Sequence, residues 1–483
     1  MPAAAAAPPS TPGVSTENWD TVFAVTLDQV NADIVKANKT PPNIDTAPYG
    51  QFQTRVKADF GHWRVTEGGD TQTLYLSIPM KNLVCKTVAN NTPYTTTCDS
   101  CEAVFAIKLE LMPHQGPATK PDGTALPPPK SGTTRHALKP RIKSTNPKDP
   151  VAVFKQMTWL APQVGVDAED PLSDAMENWC QNNLGLFDHV FAFIDINDRV
   201  ATGDFAFCAP VHSTYAYVDR IQGPGLLGIL CMTSGDPMPT AAALSPEAVP
   251  AGSGAAFVIA PQRFLLDMVA PSLTKIWPNL ATTDLELDTN KKVLRLKSNL
   301  RINLPKTTDP KSGQSFLPIL TNLTVSLEGD EVMVETLVEA ETDPGLYATS
   351  LSTNWYRIGL GKNKKGAQTL VYAPSRKIAP VKGHWVDPAR ATAGKVLTGA
   401  EIVFGVLALL ADGEGAIILG ALLLTCLAGS LNMSNAVEAA QEDPPDISAL
   451  HDAFTGPFTW TDTDLTLTKG GLAESLQLVG NFA

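Results

Sequence analysis

No apolar run in this chain reaches the ~20 residues that a bilayer-spanning helix needs. The nearest are 402–411, IVFGVLALLA, and 415–431, GAIILGALLLTCLAGSL, separated only by Asp412, Gly413 and Glu414. Two carboxylates at the middle of the pair are costly at mid-bilayer depth and ordinary in a turn. Helices that are apolar all round are normally buried. The pair, within predicted helical residues 396–440, is therefore expected to form a buried hairpin or broken long helix that a sheet must cover. A membrane-insertion device is the sharper alternative.

Cysteine is also scarce: seven residues, an odd number scattered over 483, do not suggest a disulfide scaffold, and a reducing compartment is expected. Cys98-Asp99-Ser100-Cys101 is the one CxxC, and Cys85 and His114 are the nearest further donors. Structural zinc needs four ligands, so incidental thiols on a hairpin, or a local disulfide, are expected instead. No GxSxG, Walker A or HExxH sequence is present. Asp188-His189, Asp195 and Asp198 fall on or beside a predicted strand without a nucleophile elbow or phosphate loop. They read as strand-end polar groups, so no enzyme, cofactor or metal is expected. The opening MPAAAAAPPSTPG has neither the basic nor the apolar region of a signal peptide. It reads as a flexible tail over 1–16, on a protein made in the cytoplasm and exported, if at all, by a signal-independent route.

Proline is abundant, with 39 residues that fall mostly between periodic segments and predict many defined loops. The net charge of −12 is unevenly spread: 113–150 carries +5 and 362–395 carries +7, so the remainder is strongly acidic. That balance fits poorly with bulk nucleic-acid binding. It suits contact with anionic headgroups or an acidic protein partner, while solvated loops are the plainer alternative.

Trp19, Phe23, Leu27, Val30 and Ile34 recur at steps of three and four, which predicts a helix capped near Thr16 or Asn18 and ended by Pro41-Pro42. Residues 51–66 and 73–80 flank Glu67-Gly68-Gly69-Asp70, a hairpin signal. Phe105, Ile107, Leu109 and Leu111 alternate with smaller or charged residues, giving a strand with one apolar face. The basic, proline-rich 113–150 reads as a long loop or mobile insertion. Residues 171–183 predict a short helix, with Leu172, Met176, Trp179 and Cys180 inward. Residues 190–196, 206–219, 226–233 and 255–259 predict strands. Pro261 opens a helix over 262–277 with a kink at Pro271. Residues 323–338 form the clearest hairpin, turning at Gly329-Asp330. Strands at 347–360 and 367–372 follow, and 458–468 and 472–482 close the chain around Lys469-Gly470-Gly471. Many one-sided antiparallel strands and few helices point to an α+β fold in which curved sheets wrap the helices.

Asn18-Trp19-Asp20-Thr21-Val22-Phe23-Ala24, Gly61-His62-Trp63, Gly228-Ile229-Leu230-Cys231-Met232-Thr233 and Phe257-Val258-Ile259-Ala260-Pro261 resemble the family named for the forty-seven-kilodalton protein of botulinum neurotoxin gene clusters, with the OrfX proteins as relatives. The likeness runs from Trp19 onward and rests on short apolar phrases. It implies a TULIP fold, the tubular lipid-binding architecture of bactericidal/permeability-increasing protein, in which curved antiparallel sheets surround long apolar helices. It also implies toxin-cluster partners and, for some members, phosphoinositide or other anionic lipid as ligand. Fold alone does not transfer a ligand.

The resulting expectation is a two-module protein, 17–255 and 256–483, that binds lipid or a membrane surface. Phe404, Leu407, Leu410, Ile418, Leu422 and Leu423 would form the acyl-chain wall or else core packing. Lys362, Lys364, Lys365, Arg376 and Lys377 would meet headgroups. Gly383-His384-Trp385 repeats the earlier Gly-His-Trp, either as a trace of two related modules or, since the flanks do not match, by chance. Trp385 lies among basic residues as interfacial aromatics do, the plainer alternative being a Trp that pins a loop to its own domain. The alternative is a protein-interaction scaffold of a toxin or secretion complex, with a self-filled tube and no lipid.

Overall fold

The computed structural model describes residues 13–482 apart from 147, 166–168, 202–204, 278, 305, 309–314, 388–446 and 461–463. Every strand pairing among the described residues is antiparallel. The predicted apolar helices at 396–440 lie outside the described residues. Among those described, no helix is long and apolar enough to cross a membrane.

A six-stranded sheet runs in the order His212–Val218, Leu226–Met232, Thr21–Thr26, Ala255–Ile259, Ser475–Phe482, Leu465–Ala473. Thr21–Thr26, Leu226–Met232 and Ala255–Ile259 are buried at every position. Strands covered on both faces carry continuous apolar runs rather than alternation. Phe23, Ile229 and Phe257 face the main core, while Val22, Leu230 and Val258 pack under Leu244 and Val249 on the other side.

The expected helix beginning near Trp19 is corrected here. Thr21–Thr26 is a strand, and the helix is Leu27–Ala37. The β-branched run Thr-Val-Phe-Ala-Val-Thr finds partners on both edges, and that outweighs the three-four spacing. Thr26 Oγ1 caps the helix by accepting from Gln29 N at 3.5 Å. Asn38 ends it with φ 50°, ahead of Pro41.

A nine-stranded sheet follows the path Asn43–Asp45, Arg55–Phe60, Thr73–Ala89, Thr92–Pro113, Thr133–Pro140, Ala192–Asn197, Phe458–Thr459. Arg64–Asp70 and Ala152–Trp159 pair to its two long strands. The expected helix at 171–183 is Glu169–Asn183, with Leu172, Met176 and Cys180 buried. The proline-rich stretch 113–150 is more ordered than a mobile insertion. It contributes Thr133–Pro140 to this sheet, and acids hold three of its seven cations: Arg135 to Asp195 at 2.7 Å, Arg141 to Asp149 at 2.7 Å and Lys139 to Asp188 at 3.1 Å.

An eight-stranded sheet orders Leu285–Asp288, Val293–Leu296, Ile319–Glu328, Glu331–Asp343, Leu346–Lys362 and Gln368–Lys377. Ile302–Asn303 and Val381–Val386 add at its sides. Its central hairpin turns at Gly329-Asp330, as the sequence predicts. The segment Pro261–Ile276 is helical, with π geometry over Phe264–Val269 just before Pro271. A wider turn is one way a helix accommodates a proline that cannot donate.

The closing hairpin is also corrected. Its turn is Glu474, at φ 65°, between Ala473 and Ser475. Thr468 is the extra residue of a bulge, and Lys469, Gly470 and Gly471 lie within the strand. A Cβ on Gly471 would stand 3.1 Å from Ile358 O of the eight-stranded sheet, so glycine there permits the two sheets to approach.

Candidate functional site

The acyl-wall residues Phe404, Leu407, Leu410, Ile418, Leu422 and Leu423 lie outside the described residues. The basic set is not one patch. Lys362, Lys364 and Lys365 are exposed together at the hairpin joining Leu346–Lys362 to Gln368–Lys377. Arg376 pairs in register with Trp355, while Lys362 pairs with Gln368. Eight residues of strand separate Gln368 from Arg376, about 26 Å at ~3.3 Å per residue. Lys377 follows Arg376 at the end of its strand. Arg376 is also occupied: its guanidinium lies 4.3 Å from the Trp355 ring centroid and contacts Glu328 at 3.2 Å and Glu331 at 3.1 Å.

The strand Val381–Val386 pairs with residues 346–351, at the far end of the same long strand from Lys362. Val381 and Trp385 point to one face of it, Lys382, His384 and Val386 to the other. Trp385 stacks on Tyr347 at 4.3 Å with the rings 6° apart. Ile378, Val381, Trp385 and Val386 are nevertheless between 38% and 63% exposed. The two Gly-His-Trp triplets thus have different roles. Trp63 is buried against Phe187, His189 and Phe191, and Trp385 is at the surface.

Among the described residues, the CxxC thiols are reduced and not joined in a local disulfide. Cys85, Cys98 and Cys101 are free and buried on adjacent long strands. Burial pushes Cys101 up to about 12 and Cys85 up to about 11. Among the described residues no group of His, Cys, Asp and Glu side chains is placed to hold a metal.

A cavity of about 440 Å³ forms where five separate stretches of the chain meet. The segment after Leu27–Ala37 supplies Lys39, loop 114–123 supplies His114 and Lys120, and Lys139, His189 and Trp460 complete the wall. His114 rests edge-on against Phe193 at 5.1 Å. His189 is 3% exposed, with edge contacts to Trp63 at 5.6 Å and Phe191 at 4.9 Å. Burial pushes its imidazole down to about 4, against a weaker upward pull from Asp188, so it is neutral at pH 7. The sequence presents Asp188-His189 and the basic loop as separate features. Nothing in their spacing links them to Lys39 or to Trp460, which the fold alone brings alongside.

The described residues form an antiparallel multi-sheet protein with a surface-exposed apolar edge and a partly polar cavity, and the chain lacks the sequence signatures of the common hydrolases and nucleotide-binding enzymes. The OrfX-like family, described as Protein OrfX2/OrfX3/P47, matches residues 16–480, and the chain belongs to it. Protein OrfX3 of Clostridium botulinum (strain Kyoto / Type A2) is 26% identical over 500 residues, covering 97% of this chain and 98% of that one. Protein OrfX3 of Paraclostridium bifermentans is 28% identical over 384 residues, 74% of this chain and 75% of that one. The solved structure of P47 from Clostridium botulinum A2 superposes with a TM-score of 0.63 at 16% identity, covering 97% of this chain and 98% of that one. At that identity the likeness speaks for the fold.

Proposed function

We propose that this protein is a non-enzymatic lipid-binding or membrane-surface accessory protein of TULIP type, serving a toxin-associated bacterial gene cluster. Membership of the OrfX-like family supports the cluster context. Antiparallel sheets with few helices support the tubular fold. The observation that carries the reading is the edge at Val381–Val386. Edge strands are normally blunted by charge or covered. This one leaves Val381 and Trp385 exposed on one face and Val386 exposed with Lys382 on the other, the residue types found where protein meets the headgroup layer. In this reading Ile378, Val381 and Trp385 enter the interfacial region. Lys382 and the hairpin lysines Lys362, Lys364 and Lys365 attract anionic headgroups, each worth about 1 kcal/mol near the surface. Phe404, Leu407, Leu410, Ile418, Leu422 and Leu423 remain the proposed acyl-chain wall.

The test is flotation of the full chain with phosphatidylcholine vesicles, with and without phosphatidylserine. Expected is co-flotation with the anionic vesicles that weakens with salt and is lost in Trp385→Glu. Failure of the unaltered chain to float with either vesicle overturns the membrane part. The scaffold reading would gain instead from a stable complex with a neighbouring gene product and no phospholipid mass in native mass spectrometry.

A further inference from the structure

We propose that the cavity between loop 114–123 and His189 is a binding site for a small monoanionic amphiphile: a compact apolar or aromatic body carrying one carboxylate. The site is separate from the membrane edge and does not rest on it.

Size comes first. At about 440 Å³ the cavity falls within the ~300–1,000 Å³ of pockets that enclose small molecules, with room for a fused pair of rings. Its walls include Val190, Phe193 and Trp460, which suit such a body.

The second observation is His189. Its ring lines the cavity, is almost wholly buried and makes no side-chain hydrogen bond among the described residues, and on the same wall the indole Nε1 of Trp460 is a buried donor without a partner among them. A buried polar group without a partner costs about 1–3 kcal/mol, so natural proteins rarely leave one idle. A neutral imidazole offers one donor and one acceptor. Its N–H can meet a carboxylate oxygen that enters from the rim.

Charge sets the rest of the class. Lys39, Lys120 and Lys139 ring the opening with Asp122 and Asp188, leaving one positive charge in excess. Lys139 is bonded to Asp188 at 3.1 Å. Lys39 has no carboxylate within ion-pair distance among the described residues, so it is the cation available to a ligand. One excess charge matches a carboxylate better than a phosphate monoester, which carries close to two at neutral pH.

The experiment is isothermal titration of the full chain at pH 7 with 2-naphthoate, 2-naphthyl phosphate and naphthalene-2-methanol. Expected is one saturable site for 2-naphthoate, tighter by about tenfold than for the uncharged alcohol and tighter than for the phosphate. Lys39→Ala, on the exposed rim, should weaken 2-naphthoate several-fold, and His189→Phe should weaken it further. Both variants should still float with anionic vesicles as the unaltered chain does, and Trp385→Glu should bind 2-naphthoate normally. No saturable binding at millimolar 2-naphthoate overturns the proposal. So does equal affinity for the alcohol, or binding that Lys39→Ala leaves unchanged. Tighter binding of the phosphate than the carboxylate would overturn the assigned anion.

Discussion

Arg263 Nε donates to Asp20 Oδ1 at 2.8 Å, joining the residue before strand Thr21–Thr26 to the helix that follows Ala255–Ile259. The other carboxylate oxygen accepts from Thr233 N at 2.8 Å and Ser234 N at 3.2 Å. One buried carboxylate therefore pins three segments at the same end of the six-stranded sheet. Burial raises the Asp20 pKa, but the bonds from Arg263 and Thr233 outweigh it, and the net value lies below the ordinary carboxylate range. Its contribution to stability is present above that ordinary range and is lost as pH falls through the lower folded value. Arg263→Leu leaves the charge buried and unpaired, and should cost about 3–5 kcal/mol in urea unfolding at pH 7. The gap between variant and unaltered protein should narrow at pH 3, where the unfolded carboxylate already carries a proton.

His189 gives a second pH dependence, in a different window. Its folded value of about 4 lies below the ordinary 6.5, so the unfolded chain takes up a proton first as pH falls. Stability is complete above about pH 6.5 and declines toward pH 4, by up to roughly 3 kcal/mol. His189→Phe should flatten that decline in thermal melts between pH 7 and 4. A variant whose melting temperature falls over this range as steeply as the unaltered protein's would place the titration elsewhere.

Much of this frame is legible in the sequence, and the exceptions have physical causes. The 323–338 hairpin and the strand at 255–259 announce themselves by alternation, a Gly-Asp turn and an unbroken apolar run. The helix expected from Trp19 fails because Trp19, Phe23, Leu27, Val30 and Ile34 serve two elements, and a three-four spacing cannot mark where a strand hands over to a helix. Gly470-Gly471 reads as a turn because glycine is commonest there, whereas here it allows close approach of a neighbouring sheet. Arg376 reads as an available cation because only the fold brings Glu328, Glu331 and Trp355 to it. The cavity joins residues from Lys39 to Trp460, a relationship no local pattern encodes.

Arg376 and the hairpin lysines should separate cleanly. Arg376→Gln removes a half-exposed cation–π and ion-pair contact and should cost about 1 kcal/mol of stability, with little change in vesicle flotation. Lys362→Gln, Lys364→Gln and Lys365→Gln together should leave stability nearly unchanged and reduce the salt dependence of flotation. Unchanged flotation in the triple variant would remove these lysines from the headgroup assignment.

Gly480 lies where strands Ala255–Ile259 and Leu465–Ala473 flank Ser475–Phe482. A Cβ there would stand 2.2 Å from Thr466 O, a backbone atom that cannot turn aside. Gly480→Ala should cost about 1–3 kcal/mol by overpacking, measured as a shift in the urea midpoint without a change in slope.

The described thiols should resist alkylation in the native state. Cys85, Cys98, Cys101, Cys180, Cys208 and Cys231 are buried thiols outside any disulfide, and burial pushes Cys180 and Cys231 up to about 12. Iodoacetamide at pH 8 should leave these six unlabelled in peptide mass spectra and label all of them after unfolding. Labelling of Cys101 without denaturant would contradict its burial.

The six-stranded sheet draws three strands from residues 21–232 and three from 255–482, and the two groups meet between Thr21–Thr26 and Ala255–Ile259. Val14 is sewn to the last hairpin through Ala473 O and Ser475 Oγ. On a ribosome, the wholly apolar strand Ala255–Ile259 therefore emerges more than two hundred residues before its partner Ser475–Phe482. Until that partner arrives, it presents an open, uncharged pairing edge. Synthesis that stops short of residue 475 would release a chain with that edge open to pairing with another like it, so the Leu465–Phe482 hairpin acts as the sheet's cover against self-capture.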